Sequence, residues 1–202
     1  MSGLKIASLY GIKPHSLGFC GPKDRGILLN YLRGKAISGK KIRKILEQFK
    51  GAYPYYKLIA KSNKIKDPFD ENVVRAYWIG NKLLEKAENI KSHHSYHVLV
   101  VGSVTGKIIL KGKLLDLCRI GWGKVEKIKN QKIKVIYRPL TTRGKIKLGK
   151  PIKKDIDWDQ SLLPKVKIGD WVSFHWNQAV EILTDNDKKN LEKYTRLTLN
   201  YL

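Results

Sequence analysis

Cysteine is almost missing from this chain of 202 residues: Cys20 and Cys118 are its only two, with no CxxC pair. That excludes a disulfide framework and points to a reducing compartment, so a cytoplasmic location is expected. Long apolar runs are also lacking. The longest, Val98 to Val104, is interrupted by Gly102 and Ser103 and is far too short to cross a bilayer, so no membrane partner is expected. The first residues carry one lysine before a broken apolar stretch, without the small-residue cleavage site of a secretory signal. No repeat and no low-complexity tract is present, which excludes solenoids and bulk disorder. Acidic residues are scarce as well, 17 against 41 Lys+Arg.

What is there is enough apolar material for a real core, 42% of residues; a chain this long removes about 70% of its unfolded surface from water on folding. The charge, +24, speaks to partners and solubility rather than to fold. Thirty-three of the 41 cations are lysine. Lysine at that level also follows from genome composition or a thermophilic surface, but glutamate then rises with it, and here it does not.

The first ninety residues read as helical. Pro22 and Asp24 open a stretch with Ile27, Leu28, Tyr31 and Leu32 on one face. Ser38 caps a helix carrying Ile42, Ile45, Leu46 and Phe49, with Gly51 closing it. Pro54 begins a short helix through Ile59, and Asp70 caps another with Val73, Val74, Tyr77 and Trp78. From His94 the period changes. Val98 to Val101 reads as a buried strand, Thr105-Gly106 as a turn into Lys107 to Leu110, and Gly144 to Leu148 as a further strand. Residues 122 to 128 and 133 to 137 alternate apolar and lysine residues about Asn130-Gln131, as an exposed hairpin should. A Gly-Asp turn precedes Trp171 to Trp176, and Thr184 with Asp187 forms a capping box for a closing helix. The expected fold is α+β: a helical region, 1–91, packed on a β-rich, barrel-like antiparallel region, 92–202, that ends in a helix. Val98, Val100, Val135, Val172 and Phe174 are expected to share its core.

Between Lys107 and Lys154 there are 16 Lys+Arg and two acids, Asp116 and Glu126. Like charges opposite one another in a sheet are mildly destabilising, so the hairpin lysines suggest a nearby anion, and nucleic-acid phosphate is the obvious one. Lys40, Lys41, Lys124, Lys127, Lys129, Lys132, Lys134, Arg138, Arg143, Lys145 and Lys147 are the candidate contacts, and structured RNA or a ribonucleoprotein is the expected partner. A solvated lysine face is the alternative. Trp122 and Tyr137 offer rings either for bases or for the core.

Three motifs stop short. Gly34 to Lys41 has phosphate-loop spacing, but Lys41 stands where the magnesium-ligating hydroxyl belongs. Asp155, Asp157 and Asp159 begin like a calcium loop, but Gln160 and Val166 replace its Gly and Glu. Gly121-Trp-Gly123 lacks a third glycine. No cofactor and no resident metal is therefore expected.

The remaining chemistry is Cys20, His97, Cys118 and His175. Cys20 lies between glycines before a candidate helix start, a setting that lowers a thiol pKa, and Cys118 precedes the cation Arg119. Either thiol with His97 or His175 would make a nucleophile–base pair. His93, His94 and His97 sit at the entry to the expected strand, where chelation is poor. Gly18-Phe-Cys-Gly-Pro22, the His97 segment, Leu117-Cys-Arg119 leading to Gly121-Trp-Gly-Lys-Val125, and Val172-Ser-Phe-His-Trp176 together resemble a prokaryotic domain-of-unknown-function family. The resemblance covers nearly the whole chain and implies no activity. Two functions are thus expected from different classes: a nucleic-acid-binding protein, or a Cys/His-dependent enzyme or metal-handling factor.

Overall fold

A computed structural model describes residues 1–22, 24, 26–106, 108–141 and 144–202. The helical region holds α1 (Gly3–Ser16), α2 (Ile27–Leu32), α3 (Gly39–Leu46), α4 (Tyr53–Ser62) and α5 (Glu71–Trp78). Its helix starts follow local chemistry: the side chains of Ser2, Ser38 and Asp70 accept backbone N–H groups of Lys5, Lys41 and Asn72, satisfying donors that a helix leaves orphaned. Pro54 sits in the first turn of α4, where its missing N–H costs nothing. Gly51, however, does not end α3, which stops at Leu46. It is there because a side chain would meet Val104, whose Cγ1 and carbonyl oxygen would lie 2.5 and 2.7 Å from a Cβ.

The segment expected as a strand at Val98 to Val101 is not one. His94–Tyr96 forms a single helical turn (α6), and His97–Val101 continues it as a π-type turn that ends at Gly102 with φ 68°. The side chain of His93 caps it by accepting the Ser95 N–H. Burial falls off along the run, from fully buried Val98 to exposed Val101, which is a helical face and not strand alternation; a short apolar run cannot distinguish the two by itself. Residues 108–110 form no strand, and Lys107 lies outside the described residues. Val98 accordingly packs with Leu99, Leu115, Cys118 and Leu199, apart from Val135, Val172 and Phe174, while Val100 is only half-buried.

After α7 (Lys113–Cys118), strands β1 (Gly121–Lys129), β2 (Lys132–Tyr137), β5 (Ile152–Asp157), β6 (Trp171–His175) and β7 (Gln178–Leu183) close a barrel in the order β1-β2-β5-β7-β6. Every pairing is antiparallel except β5 with β7. Counting barrel strands alone, this is the order 1-2-3-5-4 closing on 1, the topology of an OB-fold. Val125, Ile133, Val135, Ile156, Val172 and Phe174 fill it. Among the described residues, a short ribbon, β3 (Leu140–Thr141) with β4 (Lys147–Leu148), is what forms near the expected Gly144 to Leu148 strand. The closing helix α8 (Asp185–Asn200) begins with the full Thr184–Asp187 capping box.

One core joins the two regions, since Ile120, Trp122, Val180, Leu183, Leu191 and Tyr194 pack with the apolar faces of α1 to α5. A buried polar hub reinforces it. The Tyr10 hydroxyl donates to Glu181 (2.6 Å) and lies 2.9 Å from Ser173 Oγ; Arg75 reaches Glu181 (2.8 Å) and Asp187 (3.2 Å). Burial raises the Glu181 pKa, with Arg75 opposing. The hub pins Tyr10 in place. Among the described residues no helix is long and apolar enough to cross a membrane.

Candidate functional site

Where α1, α5, α6, α7 and the β6–β7 turn meet, they enclose a cavity of about 50 Å³, room for a small cluster of waters or an ion with its ligand. Its walls are mostly apolar, and its chemistry-bearing residues are Cys20, Tyr77, His94, Cys118 and His175. The turn between β6 and β7 holds Trp176 and Asn177 at φ 51° and 59°, the type I′ geometry that suits a right-twisted hairpin. A tryptophan in that region is unusual, and it places the indole against Phe19, with ring centroids 4.4 Å apart.

His175 ends β6 and is buried. Its Nδ1–H donates to the Tyr10 carbonyl at 2.7 Å, which fixes the tautomer and leaves the lone pair on Nε2. That atom is buried without a hydrogen-bond partner. Burial pushes the His175 pKa down to about 4, so the ring is neutral. His94 donates from Nε2 to the Cys118 carbonyl (2.8 Å), and His97 from Nε2 to the Lys91 carbonyl (2.9 Å). Their Nδ1 atoms therefore both hold lone pairs, and both face the Tyr77 hydroxyl, at 3.2 and 3.4 Å. Tyr77 has a single proton and already donates it to Gly51 at 2.6 Å. Burial pushes His97 down to about 4 and holds His94 well below its usual value. The cavity is thus rimmed by two neutral imidazoles, His94 and His175, each with a ring nitrogen lone pair.

Burial, then the neighbouring Cys20, pushes the Cys118 thiol up to about 12. Arg119 does not counter this. Its guanidinium turns to Asp116 (Nε to Oδ1, 2.9 Å) and to the Arg138 carbonyl (2.6 Å), so the expected thiolate-stabilising cation is a structural one. In the folded, metal-free protein Cys118 should resist alkylation at pH 8 and react on unfolding, read by mass spectrometry of labelled peptides; prompt labelling would contradict the buried, protonated thiol. Cys20, half-buried, is not at a helix start either, because α2 begins at Ile27. It lies on the loop after α1 and lines both the cavity and an outer groove that includes Lys13, His15 and Asp24.

Of the four candidates read from sequence, Cys20, Cys118 and His175 meet at the cavity, and His97 stands one layer behind it across Tyr77. His94 and Tyr77 were missed. The expected strand entry separates His94 from its neighbours, whereas its spacing of three from His97 places the two together on a helical turn.

The basic candidates lie elsewhere. Lys124, Lys127, Lys129 and Lys132 are exposed on the β1–β2 hairpin, and half-buried Lys134 pairs with Asp155 at 3.8 Å. The register sets Lys127 opposite Lys134 and Lys129 opposite Lys132. Glu126 is taken by Lys153 at 2.6 Å. Arg138, Lys145 and Lys147 are exposed near the β3–β4 ribbon, Lys40 and Lys41 are exposed on the first turn of α3, and Arg143 lies outside the described residues. Trp122 packs in the core with the helices, and Tyr137 lies in the barrel, so neither offers a free ring.

A family model described as "Family of unknown function (DUF6390)" matches residues 1–91 and 85–202. No curated protein and no solved structure matches the chain.

Proposed function

Because the chain belongs to DUF6390, a family of unknown function, it inherits no assigned chemistry, and we propose that it is a cytoplasmic protein that binds structured RNA or a ribonucleoprotein through the lysine face of its barrel. The observation that carries this reading is the register of the hairpin, which holds lysines directly opposite lysines at two alternate positions, either side of the Ile128–Ile133 pair. Such pairs cost the fold something; β5 sets Asp157 and Asp155 opposite Lys132 and Lys134, which offsets part of that cost, and phosphate over Lys127 and Lys129 would offset the rest. The location supports it: the face of the second and third barrel strands and the loop joining the first two are where OB-folds meet oligonucleotides. Here that loop and face carry Lys129, Lys132, Lys134 and Lys153. No aromatic ring projects from the face among the described residues of β1, β2 and β5. It therefore suits phosphate tracking on folded RNA rather than stacking on splayed bases.

The test is a salt titration of RNA binding by the wild type and by the Lys127→Gln/Lys129→Gln/Lys132→Gln/Lys134→Gln variant. With Lys134 shared with Asp155, the slope of log affinity against log salt should shrink by about three units. Replacing Lys35, Lys40, Lys41 and Lys44 instead should change it less. An unchanged slope in the hairpin variant, or no RNA binding near physiological salt, would reduce the lysines to surface composition.

A second reading, an enzyme or metal-handling factor working through Cys20, Cys118 and His175, is favoured by the convergence of these residues on one buried cavity.

A further inference from the structure

We infer that His94, Cys118 and His175 form a binding site for one borderline-soft divalent cation of the zinc class, with a fourth coordination position open to the cavity. The inference deepens the Cys/His reading and is independent of RNA binding. One ring nitrogen from each histidine and the Cys118 sulfur all lie within 4.8 Å of one another, and all three residues are buried. Zinc–nitrogen and zinc–sulfur bonds near 2.0 and 2.3 Å place tetrahedral ligand atoms roughly 3.3–3.6 Å apart. Side-chain adjustments of about 1 Å would close the site.

The unpartnered Nε2 of His175 is the second, separate observation. A buried nitrogen lone pair without a donor is unfavourable, and a native fold keeps few of them. A cation would satisfy it. The opposite nitrogen, Nδ1, already donates to a backbone carbonyl, the outer bond by which metal-ligating histidines are oriented. Tyr10, which supplies that carbonyl, is in turn held by the Glu181–Arg75 hub. The orienting layer is therefore rigid before any ion arrives.

The donor set also selects the ion. A thiolate and two imidazoles suit zinc and its borderline neighbours; magnesium and calcium call for oxygen ligands, and no carboxylate lines the cavity among the described residues. On binding, the Cys118 S–H bond breaks, the sulfur lone pair goes to the metal, and the proton leaves to solvent. The site then carries one net positive charge in an apolar enclosure. That charge favours an anion in the fourth position: hydroxide from a bound water, an anionic substrate, or the Cys20 thiolate from the cavity wall. Three protein ligands and one open position are the arrangement of catalytic zinc sites, whereas structural sites are closed by four.

The experiment uses the reduced, full-length protein, stripped with chelator and titrated with Zn(II) and with Co(II) as the spectroscopic probe. One equivalent should bind. The cobalt form should show the d–d bands of a tetrahedral site and a thiolate-to-cobalt charge-transfer band. Zinc should raise the melting temperature, since an ion that binds only the folded state stabilises it. Cys20→Ser should keep stoichiometric binding and the charge-transfer band, which assigns the band to Cys118 without relying on a variant that replaces a core residue. Cys118→Ser and His175→Gln should lose stoichiometric binding while their metal-free circular dichroism matches the wild type. Folded wild type that binds neither ion stoichiometrically, or a charge-transfer band absent from Cys20→Ser, would overturn the assignment. Either result would leave the RNA salt test untouched.

Discussion

Lowering the pH from 7 to 5 is expected to remove about 6 kcal/mol of stability from the metal-free protein. His93, His97 and His175 are buried, and burial holds their folded pKa values at about 3, about 4 and about 4, against about 6.5 in the unfolded chain. Below pH 6.5 the unfolded chain takes up protons that the folded chain refuses, so stability is full above that pH and is lost as pH falls toward the folded values. At pH 5 each of the three contributes a loss of about 2 kcal/mol. His94, also lowered by burial, adds in the same direction. Glu181, raised by burial, acts in the opposite sense. Asp24, Asp67 and Asp159 all sit below the usual carboxylate value, so they stay ionised across the window. The loss approaches the whole stability of an ordinary domain. Urea unfolding of chelator-treated protein at pH 7, 6 and 5 measures it, and a midpoint that does not move would mean that the imidazoles are solvated in the native state.

The second large effect is expected at Arg119. Its side chain is 1% exposed. It binds Asp116, reaches the carbonyls of Ile120 and Arg138, and lies over the Trp122 ring at 5.4 Å. Asp116 is the other half of the joint: it also accepts the Tyr137 hydroxyl (3.0 Å) and the Leu140 N–H (2.9 Å). Together they fasten α7, and with it Cys118, to the end of β2 and the start of β3. Arg119→Met keeps much of the apolar stem but leaves a mostly buried carboxylate without its cation. Removing one partner of a buried pair typically costs about 3–5 kcal/mol. Chemical denaturation should show that loss, and the double variant Arg119→Met/Asp116→Asn should recover part of it. A single-variant cost below about 1 kcal/mol would show that the pair is solvent-screened.

Much of the architecture was legible because it is set locally. Ser38, Asp70 and the Thr184–Asp187 box announce helix starts through bonds made within a few residues, and the alternation on either side of Asn130-Gln131 matches the observed register. Val98 to Val101 misled because β-branched residues favour a strand while the actual arbiter is His93, which caps the turn. The same misreading hid His94: on a strand its neighbours diverge, whereas a helical turn brings it back to Cys118. Arg119 was also decidable locally. Asp116 lies three residues earlier on α7, within reach on one helical face, and that carboxylate rather than the adjacent thiol takes the guanidinium. The cavity itself had no local signal. Cys20, Cys118 and His175 come from distant segments, and only the closure of the barrel against the helices brings them to one wall.

The Tyr10 hub has a consequence for how the chain comes to be folded. The Tyr10 hydroxyl on α1 finds its partners, Ser173 and Glu181, 163 and 171 residues later, and these lie on the last two barrel strands. Contacts of such sequence separation pay their loop-closure entropy before they return any stabilisation, and they slow folding. Until β6 and β7 have left the ribosome, the apolar side of α1 has no sheet to meet, and the barrel lacks the strands that close it. The apolar face of α1 meets α2, α3 and α5 early, but its buried Tyr10 hydroxyl waits for β6 and β7, so the polar hub forms only as the barrel closes.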